Sequence, residues 1–168
     1  MNRAIAAALA GALILTLAAC GFRLQGTAPL PGGVDSVRVT FDQPYGVAEP
    51  PLVLVLEQRL RARGALGGGD ADARLHIAEI NTRRRLLAVS PEDARGAAYE
   101  LETEAVFDLR IGGKTRLAHE SLTVRREYSF DDTARLAAEA EREELEQAMQ
   151  AELADLILLR LDAVDAAE

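Results

Sequence analysis

Residues 99–113 read Tyr99-Glu100-Leu101-Glu102-Thr103-Glu104-Ala105-Val106-Phe107-Asp108-Leu109-Arg110-Ile111-Gly112-Gly113, and this stretch decides the fold class. Tyr99, Leu101, Thr103, Ala105, Phe107, Leu109 and Ile111 fall on one side of a two-residue repeat. Glu100, Glu102, Glu104, Asp108 and Arg110 fall on the other, and only Val106 breaks the alternation. Such a segment is a strand packed on one face and wetted on the other, as in an antiparallel sheet covered on one side. Gly112-Gly113 suits a two-residue hairpin connection, whose tight turn needs positive φ. The chain then returns through Leu122, Val124, Tyr128 and Phe130 on one face. Arg126 lies on that same face, so it must reach the edge of the sheet or find a partner.

Toward the N-terminus, Leu75 and Ile77 begin a second strand that runs to about Ile80. Gly67-Gly68-Gly69-Asp70 before it lacks the Lys and Ser/Thr of a phosphate loop and reads as a flexible turn only. Pro50-Pro51 opens a helix at the position where a missing N–H does no harm. Leu52, Val53, Leu56 and Leu60 share one face of that helix, and Gly64 ends it. Gln43 to Pro51 holds three prolines and is a loop, and Val37, Val39 and Phe41 before it alternate with Arg38 and Thr40 as a first strand. Downstream, Asp131-Asp132 can cap a long closing helix with Leu145, Met149, Leu153, Leu156, Ile157 and Leu161 as its stripe. The order β-α-β-β-β-α predicts an α+β fold. It has one mixed or antiparallel sheet of about four strands, with two helices packed on one face. The helical connection lets the first two strands pair in parallel, and the acid-rich opposite face stays solvated.

The first nineteen residues have a different character. Arg3 is followed by an uncharged, mostly apolar run from Ala4 to Leu17, 14 residues long, and then by small residues. That run falls short of the roughly 20 residues a membrane-spanning helix needs, and it reads as a secretory signal. It closes in Leu17-Ala18-Ala19-Cys20-Gly21, which looks like a lipobox with Cys20 as the acylated residue, and Cys20 is the one cysteine in the chain. The expected organisation is therefore a removed signal peptide over 1–19, a lipidated N-terminus and tether over 20–33, and a single α+β domain over 34–168. Several acyl chains on Cys20 would anchor the chain stably, because each buried CH₂ contributes about 0.8 kcal/mol and one chain alone is marginal.

The chain carries a formal charge of −8, and loss of the signal removes Arg3 and no acid, leaving −9. That balance argues against nucleic acid as a partner, so an anionic ligand needs a local basic cluster. Catalytic signals are sparse. His76 and His119 are far apart and lack metal-ligand spacing, no Gly-x-Ser-x-Gly elbow occurs, and the Glu100, Glu102, Glu104 series is a regular wet strand face. No enzyme activity, metal or cofactor is expected, apart from the covalent lipid. The basic cluster is Arg83-Arg84-Arg85, just after the second strand, with Arg95 in the segment leading to the third. Arginine forks match phosphate and carboxylate geometry. Solvated or cross-strand-paired arginines at a sheet end are the other reading of the same residues. Consecutive strand residues alternate faces, so the three serve one ligand only where the strand is broken.

Cys20-Gly21-Phe22-Arg23-Leu24-Gln25-Gly26, Ala98-Tyr99-Glu100-Leu101 and Arg126-Glu127-Tyr128-Ser129-Phe130-Asp131-Asp132 occur in that order. They are followed by Glu143-Glu144, Leu153-Ala154-Asp155-Leu156-Ile157 and Arg160-Leu161. This series resembles the LptE family, the lipoprotein subunit of the outer-membrane lipopolysaccharide translocon, over nearly the whole chain after the signal. The resemblance implies a non-enzymatic role: a plug inside the LptD β-barrel that assists barrel assembly and binds lipopolysaccharide. It also implies two helices against a four-stranded sheet. Basic residues for lipopolysaccharide are implied before the third strand, where Arg95 and, upstream, Arg83, Arg84 and Arg85 stand. A second basic position is implied near the start of the last helix. There Arg135 is close, but Ala138, Glu139 and Glu141 surround the place, a departure from the pattern. Gly21 rather than Asp after the cysteine is consistent with delivery to the outer membrane. An auxiliary lipoprotein of an ABC-type envelope lipid transporter is the alternative function for such a chain.

Overall fold

The computed structural model describes residues 34–42, 49–89, 96–131 and 135–164. Cys20, the stretch from Gly21 to Gly33, Arg95 and Asp132 lie outside the described residues. The elements are β1 (Val37–Phe41), α1 (Pro51–Ala62), β2 (Ala73–Val89), β3 (Gly96–Ile111), β4 (Lys114–Asp131) and α2 (Arg135–Ala163). The sheet runs β1-β2-β3-β4 in space, with β1 parallel to β2 and the other pairs antiparallel. This is the anticipated mixed α+β arrangement. Among the described residues no helix is long and apolar enough to cross a membrane.

The strand alternation expected over 99–111 is realised: Leu101, Thr103, Ala105, Phe107 and Leu109 are buried, and the residues between them are not. They form one core with Val37 and Val39 of β1, Leu75 and Ile77 of β2, the α1 face Leu52, Val53, Leu56 and Leu60, and Met149, Leu153, Ile157 and Leu161 of α2. Thr103, the one buried polar residue among those described, meets Thr82 Oγ1 at 3.1 Å across the β2–β3 pair. The hairpin glycines Gly112 and Gly113 have φ of +54° and +81°, as the paired positive values of a type I′ turn require. Arg126 has found its partner in Glu152 of α2.

The two ends of α1 are closed in different ways, the first by a contact from α2 and the second by its own cap motif. Pro51 stands in the first turn and Pro50 offers no capping side chain, so a free N–H at that end needs an acceptor. Gln150 Oε1 of α2 accepts the Leu52 N–H at 3.0 Å. At the other end Gly64 has φ +70°, its N–H donates to Arg61 O at 3.0 Å, and the Ala65 N–H donates to Leu60 O at 2.9 Å. That pair of bonds is a Schellman cap, which the left-handed glycine makes possible. Just beyond, Gly67 donates to Val37 O at 2.9 Å. A Cβ there would stand 2.7 Å from the Ala71 Cβ and 2.9 Å from the Ser36 Cβ, so the closure of this corner needs glycine.

Three boundaries differ from expectation. β2 continues past Ile80 to Val89, β3 begins at Gly96 rather than Tyr99, and Asp131 is the last residue of β4 rather than a helix cap. The first difference has a clear cause. The β2–β3 register slips between Ile77 and Glu79, and one extra residue in a strand reverses the parity of every side chain after it. Odd-numbered Leu75 and Ile77 face the helices before the slip, and even-numbered Ile80 and Thr82 face them after it, as their partners Leu109, Phe107, Ala105 and Thr103 show. A bulge thus breaks the alternation while the strand goes on.

Candidate functional site

β1 pairs with β2 only over Ala73–Ile77, so beyond the bulge the sheet is three strands wide. This narrower end carries the arginine cluster. Arg83, Arg84 and Arg85 lie inside β2, opposite Glu102, Leu101 and Glu100 respectively. Their expected position just after the second strand is therefore corrected: the chain is extended and paired there, and the three alternate between faces. Arg83 and Arg85 share the open face, Arg84 stands on the helix face, and Arg95 lies outside the described residues.

On the helix face, the Arg84 guanidinium sits 4.8 Å from the centre of the Tyr99 ring, within the range of a cation–π contact. Tyr99 stacks on Tyr128 at 5.6 Å and meets Phe130 edge-on at 6.3 Å. The buried Tyr128 hydroxyl makes no well-formed hydrogen bond among the described residues. It lies near enough to Arg84 to be the largest cause of that arginine holding its proton more firmly than usual. Above this cluster Arg142 of α2 donates to Glu139 at 2.8 Å and to Glu146 at 2.6 Å. These two carboxylates, Glu139 first, hold its charge well above the ordinary arginine range. Thr82, Arg84, Leu101, Glu139, Arg142 and Glu146 line an open hollow of about 360 Å³ between strand and helix.

On the open face, Arg83, Arg85, Glu100, Glu102 and Arg125 line a shallow hollow of about 390 Å³. Arg85 pairs with Glu100 at 2.8 Å and Arg125 with Glu102 at 2.6 Å. The face anticipated as acidic is thus a lattice of cross-strand pairs, in which β3 supplies the acids and its two neighbours the arginines. Arg83 is exposed and has no ion-pair partner among the described residues, which leaves the hollow with one cation in excess. The same end of the sheet carries exposed apolar side chains: Leu86, opposite Tyr99 and so on the helix face with Arg84, then Leu87 and Val89 at the end of β2, and Leu136 at the start of α2. An end that offers guanidinium groups and bare aliphatic surface together is suited to an amphiphile with an anionic head.

Other polar groups have structural roles. His76 is half-buried and bonds Thr40 Oγ1 at 3.2 Å, with Asp42 at 3.6 Å. His119 has φ +51° at a register slip in β4, and its N–H donates to Asp108 Oδ1 at 2.9 Å. Among the described residues no group of three His, Cys, Asp or Glu side chains could hold a metal ion. Arg125, Arg142 and Tyr99 belong to the arginine end but escaped sequence reasoning. For Arg125 a signal existed, since it sits on the wet side of an alternating strand. Arg142 is set over Arg84 only by the docking of α2.

The family model described as lipopolysaccharide-assembly, LptE, matches residues 34–161. The LPS-assembly lipoprotein LptE of Photorhabdus laumondii is 28% identical over 176 residues, spanning 100% of this chain and 91% of that protein. The protein of the same name from Yersinia pestis (strain Pestoides F) is 27% identical over 183 residues, spanning 100% of this chain and 80% of its own. Among solved structures, the rare lipoprotein B of Shewanella oneidensis has a TM-score of 0.66 at 23% identity and spans 79% of this chain and 97% of that one. An uncharacterized lipoprotein B from Nitrosomonas europaea has a TM-score of 0.64 at 25% identity and spans 88% of this chain and 94% of its own. The fold described above is shared with these two solved structures.

Proposed function

The chain belongs to the LptE lipopolysaccharide-assembly family, and from that premise we propose that it is an outer-membrane lipoprotein of the LptD–LptE translocon. In this reading residues 1–19 are the removed signal, lipid on Cys20 is the anchor, and 20–33 is the tether. The domain lodges in the lumen of the LptD barrel, assists its assembly and binds lipopolysaccharide with the three-stranded end of the sheet. The observation that carries the lipid-binding part is that one end of the sheet presents Arg83 and Arg85 on its open face and the exposed Leu86, Leu87 and Val89 at the end of β2. Phosphate groups suit the guanidinium forks, while acyl chains suit the aliphatic side chains at the same end of the sheet. The polar, ion-paired open face supports the lodging, because the interior of a membrane barrel is polar.

The test has two arms. Detergent-solubilised full chain, tagged and pulled from its own envelope, is expected to bring down the LptD barrel; recovery without a barrel overturns the plug reading. In a lipopolysaccharide titration, the R83E/R85E variant is expected to bind at least tenfold more weakly with its melting temperature little changed. Unchanged binding removes the arginine end as the lipid site and leaves the barrel partnership to the first arm.

A further inference from the structure

At the opposite, four-stranded end of the open face, a second basic feature obeys a different rule. Arg38 of β1 is in register with Arg74 of β2, and Arg74 with Arg110 of β3. Their neighbours Val37, Val39, Ala73, Leu75 and Leu109 are buried on the helix side, so all three arginines stand on the open face. Adjacent strands are about 4.8 Å apart, which sets three guanidinium-bearing stems across roughly 10 Å. Like charges directly opposite each other destabilise a sheet. Elsewhere on this face cross-strand partners relieve the charges: Arg125 pairs with Glu102, and Arg85 pairs with Glu100, which stands opposite the like-charged Glu127.

The arginine row has no such compensation. Among the described residues the side chains of Arg38 and Arg74 have no hydrogen-bond or ion-pair partner, and the Arg110 guanidinium donates to the Gly113 carbonyl at 3.1 Å. The carboxylates nearby are engaged elsewhere. Asp108 accepts the His119 N–H, Asp42 faces His76, and Asp72 accepts from the Ser36 hydroxyl at 2.8 Å and the Ser36 N–H at 3.0 Å. The row forms the shared wall of two hollows. One, of about 580 Å³, is also lined by Thr40, His76 and Thr115 and by the engaged carboxylates of Asp42 and Asp108; the other, of about 220 Å³, lies toward Gly69 and Gly113 with Asp72 on its wall. A local rule broken without compensation in the chain marks a place where a ligand supplies it.

We propose that Arg38, Arg74 and Arg110 form a binding site for a phosphomonoester dianion, separate from the Arg83–Arg85 end. Three adjacent cations match a group that carries close to two negative charges on three acceptor oxygens, better than they match single carboxylates. The Thr115 hydroxyl at the rim adds a donor for a remaining oxygen. The site does not depend on the lipid-binding reading, and its test uses no lipopolysaccharide.

The full chain in detergent is titrated at fixed ionic strength with inorganic phosphate, with the phosphomonoester lipid dihexanoyl phosphatidic acid, and with a poly-glutamate peptide. Saturable binding of a phosphate probe is expected, weakened at least tenfold in R38Q/R74Q/R110Q and changed less than twofold in R59Q/R61Q, whose arginines lie on α1. The triple variant keeps or raises its melting temperature, since it removes like-charge repulsion, and phosphate raises the melting temperature of the parent chain only. Tighter binding of the lipid probe identifies a phosphorylated headgroup as the ligand, and equal or tighter binding of inorganic phosphate identifies the free ion. Absence of saturation by both phosphate probes, an unaffected triple variant, or preferential binding of poly-glutamate overturns the proposal.

Discussion

The two ends of the sheet are made from the same three long strands but are built to different purposes. At the four-stranded end, β1, α1 and the C-terminal half of α2 close around Phe107, Leu75, Leu56 and Ile157, all fully buried. Arg63–Asp162 and Arg59–Asp155 pairs tie the two helices there, each at 3.1 Å. At the three-stranded end β1 and α1 are absent, the packed residues are aromatics under the start of α2, and Leu86, Val89 and Leu136 are 52%, 50% and 89% exposed. One end concentrates apolar burial, the main favourable term in folding. The other, held in place by it, keeps cations and bare aliphatic surface in solvent. A binding end need not contribute much stability when its strands are continuous with a well-packed end.

That contrast can be tested by unequal losses. Phe107→Ala is expected to cost about 3–5 kcal/mol in urea unfolding, as large-to-small changes in a filled core do. Leu86→Ala at the other end is expected to fall within about 0.5 kcal/mol, the range of surface changes. Similar costs at the two ends would dissolve the distinction. Gly67→Ala probes the corner of the four-stranded end, where the new Cβ meets Ala71 and Ser36; a loss of about 1–3 kcal/mol is expected from overpacking.

The smallest effect is one of pH. Hydrogen bonds to Asp72, that of the Ser36 hydroxyl first, hold its carboxyl below the ordinary value of 3.8. A lowered folded pKa makes the contribution complete above the unfolded value and removes it as pH falls through the folded one. The parent chain should therefore melt above Asp72→Asn at pH 6, and the gap should close as the pH is taken below 3.8. A gap that is constant with pH would mean that the carboxylate charge plays no part.

Much of the fold was legible because its signals are local. The alternation over residues 99–111, the glycine pairs, Pro51 at a helix start and the stripe on α2 each act through near neighbours in the chain. The arginine end was half legible. Arg83, Arg84 and Arg85 stood out by charge alone, but the strand was read as stopping near Ile80, where Ile77 and Ile80 are out of two-residue phase. A bulge is invisible to a period count, since it preserves the strand while shifting its parity. The ion-paired character of the open face was also missed. Glu100 and Glu102 look like bare acids until the register sets Arg85 and Arg125 opposite them.

Taken alone, the sequence determined the element types and their order and the buried face of β1, β3 and the helices, because these follow from periodicity and turn chemistry over a few residues. Tertiary structure alone decided which charges meet. It set Glu152 on Arg126, Gln150 on the free N–H of α1, acids against the arginines at one end, and Arg38, Arg74 and Arg110 in an unrelieved row at the other. The physical reason is that a side chain's face is fixed by its own strand, whereas its neighbour is fixed by the register between strands distant in sequence.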